Sequence, residues 1–242
     1  MAHTRPDYST KQKMETIYGD VDNAELAARL NSPITFDRRG NIVFYEDFTS
    51  ALLQWGTASG GVGAAWNIDA TTSLINGTSL KITVGSGAGT NTSISRMFSI
   101  LPFKRIGFEA AFTMHAGLDE FEINFRAYDG TNYFAGRAAV DRANTRVEIN
   151  DDAGANVDLA SPVGTYSNVR LFHVLKLVVD LQTSSYVRVI YDNNEYDASA
   201  YGLQTVASGN DPYILWTLLY RTSAAATRDV NIDRLILTQN EP

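Results

Sequence analysis

The chain contains no cysteine and only three histidines. Without cysteine, neither a disulfide framework nor a thiolate metal site can form, so packing must supply the stability. His3, His115 and His173 are scattered along the chain, and no His-Glu-x-x-His spacing occurs. We therefore expect no metal-dependent catalysis and no bound cofactor.

Long apolar runs and targeting signals are also missing. No apolar run approaches the ~20 residues that span a bilayer. The N-terminus, Met-Ala-His-Thr-Arg-Pro, lacks the apolar centre of a secretory signal. We expect synthesis in a cytoplasm and no membrane partner. The run Gly85–Gly89 lacks the lysine and the following helix of a phosphate-binding loop, so it predicts a flexible connection.

Positive charge is scarce in the main part of the chain. Residues 1–40 hold six basic and six acidic residues, and the remainder carries the whole formal net charge of −7. A protein that binds a phosphate backbone needs a basic face. We therefore predict no nucleic-acid partner.

The chain divides into a polar arm and a β-rich body. The boundary lies in the run Ile34–Phe48, which predicts an arm of residues 1–41 and a sandwich domain of residues 42–242. Within the arm, Ala24–Leu30 follows two N-cap candidates and predicts one short helix. A single short helix cannot bury its apolar side, so we predict that the arm docks on neighbouring subunits. Its candidate contact residues are Tyr8, Ile17, Tyr18, Leu26, Leu30, Arg38 and Arg39.

Alternating apolar residues dominate the body and predict strands. The alternation runs through Ile106–Met114, Phe121–Ala127, Phe134–Val140 and Thr145–Ile149, with polar turns between the segments. Side chains two residues apart share one face of a strand. These four segments therefore predict an antiparallel meander with one buried face.

The opposite face of this predicted meander carries charged and amide side chains. Short loops fix which residues lie opposite each other on neighbouring strands. The expected pairs are Glu109 with Arg126, Thr113 with Glu122, His115 with Glu120, Asn124 with Arg137, Arg137 with Glu148, and Tyr128 with Tyr133. Glu122 then becomes a diagonal neighbour of Arg137. We interpret this face as a solvated ladder of ion pairs.

Further strands complete two sheets. Leu171–Leu181 and Tyr186–Tyr191 predict a hairpin, Tyr213–Tyr220 predicts a central strand that is apolar on both faces, and Val230–Thr238 predicts the closing strand. Many short strands with one-sided patterning are typical of two stacked sheets. The predicted fold class is all-β: a two-sheet antiparallel jelly-roll sandwich with an extended N-terminal arm containing one short helix.

Several segments carry a resemblance to known families. They are Phe44–Phe48 followed by Leu53-Gln54-Trp55, Gly77–Ile82, His173–Asp180 and Val230–Asp233. In these segments the body resembles the jelly-roll sandwich of concanavalin A-like, laminin-G-like and carbohydrate-binding modules. A cysteine-free sandwich behind an uncleaved polar arm also resembles virion proteins of tailed phages, which implies a head-decoration, tail or fibre component.

Two acidic residues allow a catalytic hypothesis. Glu120 and Glu122 share a strand face at about twice the ~3.3 Å rise per residue, within the separation of glycosidase carboxylates. They resemble the first two acids of the laminarinase-type strand Glu-x-Asp-x-Glu, but the third position is Asn124, which cannot donate a proton as an acid catalyst. Ion pairing with Arg137 would also favour ionised carboxylates. We therefore expect no enzyme activity.

Aromatic residues and carboxylates provide the remaining site candidates. Trp55 and Trp216 are predicted to lie in the core. The candidate glycan contacts are Trp66, Tyr128, Tyr133, Glu122 and Arg137. The candidates for a structural calcium site are Asp47, Asp151, Asp152 and Asp233, with ordinary turn chemistry as the alternative.

Taken together, these features predict a non-enzymatic structural protein of a virion, made in the host cytoplasm. It would be a capsid decoration, tail or fibre component. Its expected partners are other virion proteins and further copies of itself. The alternative is a lectin-like module that binds a polysaccharide, and the second alternative is a glucanase-like glycoside hydrolase.

Overall fold

The computed structural model describes residues 39–49, 54–74, 77–99 and 104–242. Within these ranges all regular secondary structure is β-strand. The predicted short helix lies outside the described residues. The same holds for six of the arm's candidate contacts, namely Tyr8, Ile17, Tyr18, Leu26, Leu30 and Arg38.

The strands follow one another along the chain with short connections. In chain order they are β1 (Asn41–Glu46), β2 (Gly56–Ser59), β3 (Ala65–Asp69), β4 (Ser79–Val84), β5 (Thr90–Ser99), β6 (Arg105–Thr113), β7 (Glu120–Tyr128), β8 (Asn132–Asp141), β9 (Arg146–Asn150), β10 (Asn156–Ala160), β11 (Phe172–Asp180), β12 (Ser185–Tyr191), β13 (Asn194–Asp197), β14 (Gln204–Ala207), β15 (Tyr213–Thr222) and β16 (Arg228–Gln239).

These strands form two antiparallel sheets. The first sheet has the order β13-β12-β11-β6-β16-β4-β3, and β1 pairs with β16. The second sheet has the order β10-β9-β8-β7-β15-β5-β2, and β14 pairs with β8. The predicted all-β, two-sheet sandwich is confirmed, as is the central position of β15 between β7 and β5.

Aromatic side chains fill the space between the sheets. Phe108 of the first sheet stacks on Phe125 of the second, with 5.1 Å between ring centroids, and Trp216 lies 5.5 Å from Phe108. Trp55 contacts Trp216 at 5.8 Å. Burying a side chain such as Phe contributes about 1.5–3 kcal/mol to folding. Trp55 and Trp216 are 6% and 0% exposed, so the prediction that both lie in the core is confirmed.

The predicted meander is wrong at its first strand, because β6 and β7 belong to different sheets. Glu109 lies opposite Lys176 of β11, not opposite Arg126, and Thr113 lies opposite Phe172. The expected pairs of Thr113 with Glu122 and of His115 with Glu120 are absent for the same reason. Alternation shows which residues share a face, but a short connection can either fold back within one sheet or cross to the other.

The rest of the meander is confirmed, with one change of register. Asn124 lies opposite Arg137 and Tyr128 opposite Tyr133, as predicted. Glu148 lies opposite Ala139 rather than Arg137, because the β8–β9 turn has four residues, 142–145, instead of two. The Asp141 carboxylate stabilises this longer turn by accepting hydrogen bonds from the backbone N–H and the side-chain amide of Asn144.

A buried ionic cluster joins both ends of the described body to the first sheet. Glu241 pairs with Lys176 at 2.7 Å and with Arg188 at 2.6 Å. Lys176 also donates to the carbonyl of Arg39 at 3.5 Å, and the Arg39 guanidinium pairs with Glu195 at 2.5 Å. The chain therefore enters β1 beside β11 and β13, close to the point where it ends.

Candidate functional site

The outer face of the second sheet arranges polar side chains in rows across its strands. One row contains Thr217, Asn124 and Arg137, and Arg137 continues it by donating to Asn150 at 3.1 Å. The neighbouring row on one side contains Leu219, Glu122, Ala139 and Glu148, and the row on the other side contains Leu215, Arg126, Ala135 and Gln204.

Arg137 stands at the centre of a buried ionic network on this face. Its guanidinium contacts Glu120, lies 3.0 Å from Glu122, and lies 2.8 Å from Glu148. Arg221 contacts Glu122 and lies 3.2 Å from Glu120. The expected ion pairing of Glu122 with Arg137 is therefore present, but the ladder is buried rather than solvated: Glu122 and Glu148 are each only 1% exposed.

The network fixes the orientation of its side chains. Asn124 donates its side-chain amide to Glu122 at 2.9 Å, so Glu122 accepts from three side chains. Burial lowers the pKa of the Arg137 guanidinium, and the hydrogen bond with Glu148 opposes that effect.

A gap between two strands opens beside Arg137. Both β14 and β9 pair with the same edge of β8, β14 along Asn132–Ala135 and β9 along Ala138–Asp141. The backbone N–H of Arg137 falls between them and donates instead to the hydroxyl of Tyr186 at 3.0 Å. Tyr186 comes from β12 of the first sheet, so a side chain from the opposite layer satisfies a buried donor.

A pocket of about 430 Å³ lies on the outer face at this gap. Its polar lining comes from the three rows through Arg126, Arg137 and Glu122, together with Arg221, and its apolar lining includes Leu215 and Leu219. The lining residues are Glu122, Asn124, Phe125, Arg126, Ala135, Gly136, Arg137, Asn150, Gln204, Leu215, Thr217, Leu219 and Arg221.

Gly136 provides the space in which Phe125, a lining residue of this pocket, packs against β8. A Cβ atom at position 136 would lie 2.5 Å from Cε1 of Phe125 and 3.0 Å from Cδ2 of Leu203. Such distances are shorter than any ordinary van der Waals contact. The absence of a side chain therefore lets Phe125 and Leu203 pack directly against β8.

Three tyrosines form a row next to the pocket. Tyr213, Tyr128 and Tyr133 lie opposite one another on β15, β7 and β8. Tyr128 stacks on Tyr213 with 4.3 Å between ring centroids, and Tyr133 lies 5.4 Å from Tyr128. Arg126 joins this row to the pocket, because its guanidinium carbon lies 5.4 Å from the centre of the Tyr133 ring.

The structure brings four of the five candidate glycan contacts to one region. Glu122 and Arg137 line the pocket, and Tyr128 and Tyr133 lie in the adjoining row. Trp66 is elsewhere: it belongs to β3 of the first sheet, opposite Ile82. Its ring packs against the hydrophobic core and is half-buried.

The four calcium candidates do not come together within the described residues. Asp47 accepts from the hydroxyl of Thr49, Asp151 accepts from the backbone N–H of Ala153 and Ala155, and Asp233 accepts from the hydroxyl of Ser73. Asp152 lies beside Gly202. Across the described ranges, no group of three or more His, Cys, Asp or Glu is arranged to hold a metal ion.

Sequence reasoning missed the residues that β14 and β15 contribute to the pocket. Gln204 comes from a four-residue edge strand, and Leu215, Thr217 and Leu219 come from β15. The β15 sequence is apolar on both faces, which predicts burial on both faces. The outer side of β15 is instead half-buried at Leu215, Thr217 and Leu219, because the pocket opens over it.

Comparison with known proteins gives the class of fold. No protein-family model matches the sequence, and no curated protein is similar to it. The structure is similar to a Bacillus subtilis protein of unknown function with a galectin-like fold, with a TM-score of 0.51 and 10% identity, over 83% of this chain and 97% of that chain. It is also similar to a sialidase, with a TM-score of 0.50 and 12% identity, over 86% of this chain and 19% of that chain.

A third similar structure is a Bacillus licheniformis β-glucanase, with a TM-score of 0.47 and 13% identity, over 81% of this chain and 98% of that chain. At these identities the similarities show the fold alone. The fold is a sandwich of two antiparallel β-sheets, and the virion role stays a prediction. No helix in the described part of the chain could cross a membrane.

Proposed function

We propose that the protein is a non-enzymatic, lectin-like module that binds a carbohydrate in the pocket on the outer face of the second sheet. The observation that carries the proposal is the pocket itself, whose volume of about 430 Å³ falls within the usual ~300–1,000 Å³ of small-molecule sites. Among the alternatives predicted from the sequence, this one is favoured over the virion role because the described residues include a formed site.

The lining suits a polyhydroxylated ligand. Asn124, Asn150 and Gln204 offer amide donors and acceptors, which can pair with both the hydrogens and the lone pairs of sugar hydroxyl groups. Leu215 and Leu219 offer apolar contacts for the C–H faces of a sugar ring. Asn124 and Asn150 are held in place by Glu122 and Arg137, so little side-chain entropy is lost when a ligand binds.

The fold is compatible with this proposal. One similar structure is described as having a galectin-like fold and another is a sialidase. Because one sandwich fold supports many functions, the proposal rests on the pocket and not on these names.

The test is to fill the pocket without disturbing the fold. A glycan array and calorimetry should identify a ligand of the native protein, and Ala135→Trp should reduce its affinity at least tenfold by placing an indole over the lining. The matched control is Ala58→Trp, which adds the same side chain at an exposed position on the outer face of β2. Ala135→Trp protein that retains its melting temperature and full affinity would refute the proposal.

A further inference from the structure

We propose that the pocket selects an acidic carbohydrate and that Arg126 binds its carboxylate group. This inference rests on the proposed function and adds the chemical class of the ligand. It follows from the different surroundings of the three guanidinium groups that line the pocket, those of Arg126, Arg137 and Arg221.

Two of these three cations are already neutralised by the protein. Arg137 contacts Glu120, Glu122 and Glu148, and Arg221 contacts Glu120 and Glu122. Their donors are directed to carboxylates of the same sheet. A ligand anion that approached either group would have to compete with these buried partners.

Arg126 is different, because no carboxylate of the described residues pairs with it. It is exposed on β7, it lines the pocket, and its contact with Tyr133 is a cation–π interaction. A guanidinium group presents five N–H donors in a planar fork that matches a carboxylate in a bidentate manner. Arg126 can therefore bind an anion without breaking an existing ion pair.

The local charge balance permits this anion. The charged side chains that line the pocket are Glu122, Arg126, Arg137 and Arg221, and their formal charges sum to +2. The whole chain carries a formal charge of −7. Non-specific adsorption of polyanions is therefore unfavourable, and acidic glycans must be bound through a specific contact.

Neighbouring residues support the same ligand class. Arg126 lies between the tyrosine row and the row of Asn124, and Gln204 belongs to the same row as Arg126. A sugar ring seated on the amides would place a substituent within reach of the guanidinium group, beside the aromatic row. Uronic acids combine the hydroxyl groups that the amides can bind with the carboxylate that the guanidinium group can bind.

The experiment compares acidic oligosaccharides with uncharged counterparts of the same backbone. The probes are oligomers of galacturonate, glucuronate, mannuronate and guluronate and their methyl esters, titrated calorimetrically into the full chain. At least one free acid should bind tenfold or more tightly than its ester, and the difference should shrink as salt concentration rises. In Arg126→Gln the acid should bind as weakly as the ester, and Arg126→Lys should recover part of the preference.

The matched control is Arg170→Gln, which removes an exposed guanidinium group that does not line the pocket and should change neither affinity. An acid and ester of equal affinity, or an unchanged acid preference in Arg126→Gln, would overturn this inference. If neutral glycans still bind and Ala135→Trp blocks them, the proposed function survives that result. If no glycan of either kind binds, both proposals fail.

Discussion

At the scale of single residues, the pocket depends on two residues, Gly136 and Tyr186, whose contacts lie on the core side of β8. Gly136 has no side chain, and this lets Phe125 and Leu203 approach β8 from the core. Tyr186 crosses the sandwich to satisfy the backbone of Arg137. Neither residue stands out in the sequence, because each acts through a contact with residues that are distant in the sequence.

Gly136→Ala should destabilise the protein by about 1–3 kcal/mol, since the added methyl group overlaps the Phe125 ring and a packed core resists added volume. Urea denaturation measures the change. Gly209→Ala is the control, because nothing lies within 4 Å of a Cβ atom at that position. Equal effects of the two substitutions would show that the backbone, and not the packing of Phe125, causes the loss.

Tyr186 should contribute to stability in a pH-dependent way. Burial raises the pKa of its hydroxyl to about 12, although the hydrogen bond from the Arg137 backbone lowers it. Because the folded pKa lies above the unfolded value of about 10, the contribution is complete below pH 10 and is lost as the pH rises through 12. The loss amounts to about 2–3 kcal/mol.

Tyr186→Phe separates this contribution from that of other tyrosines. At neutral pH the variant should be less stable by about 1–3 kcal/mol, because the Arg137 N–H loses its acceptor. The difference from the native protein should narrow between pH 10 and 12 in denaturation curves. A constant difference across this range would contradict the assignment.

At the scale of elements, the sequence predicted the pairing of β7 with β8 in the second sheet. It did not predict which strands belong to which sheet. The alternation of β7 and β8 was enough to place Asn124 opposite Arg137 and to put Phe125 inward. The same alternation in β6 could not show that it belongs to the other sheet. The β8–β9 register depended on a turn whose length is set by side-chain contacts of Asp141.

Only some residues of the site could be predicted, because others reach it through pairing between distant strands. Glu122 and Arg137 carry charges on a strand face and attract attention, whereas Gln204 lies on β14, a short strand paired with β8 across a long separation in sequence. The predicted pair of Arg126 with Glu109 is wrong, because Glu109 belongs to the first sheet. Pairing between distant strands is a tertiary property that local patterns do not contain.

The ionic network should hold β7, β8 and β9 together through Arg137. Arg137→Leu leaves Glu120, Glu122 and Glu148 without their shared cation and should cost about 3–5 kcal/mol. Arg105→Gln is the control, since its pair with Asp180 is at the surface and should contribute less than about 1 kcal/mol. Urea denaturation of both variants gives the comparison, and similar small losses would mean that the buried network adds nothing.

At the scale of the whole molecule, the outer faces of the two sheets carry different features. The second sheet carries the pocket, while the first sheet carries the ionic cluster of Lys176, Arg188 and Glu241, where the body begins and ends. Residues 1–41 remain a predicted docking arm. Arg39, the first described residue of that arm, is attached to Glu195 of β13.

Deleting residues 1–33 should leave a folded body, because the contacts of Arg39 with Lys176 and Glu195 are retained. If the arm docks on neighbouring subunits, the truncated protein should lose the assembled state of the full chain. Light scattering after size-exclusion chromatography measures the masses, and circular dichroism checks the fold. A well-folded truncated protein with an unchanged assembly state would exclude the docking role.

The bond between the Tyr186 hydroxyl and the Arg137 backbone also has a consequence for solvent exchange. Amide protons inside a sheet exchange with deuterium when neighbouring strands separate, but this one is protected by a single aromatic ring from the opposite layer. Its exchange rate therefore reports the motion of that ring rather than the opening of β8. Bound ligand should slow exchange at Arg137 more than at Val140, which makes one backbone proton a direct probe of whether the pocket is occupied.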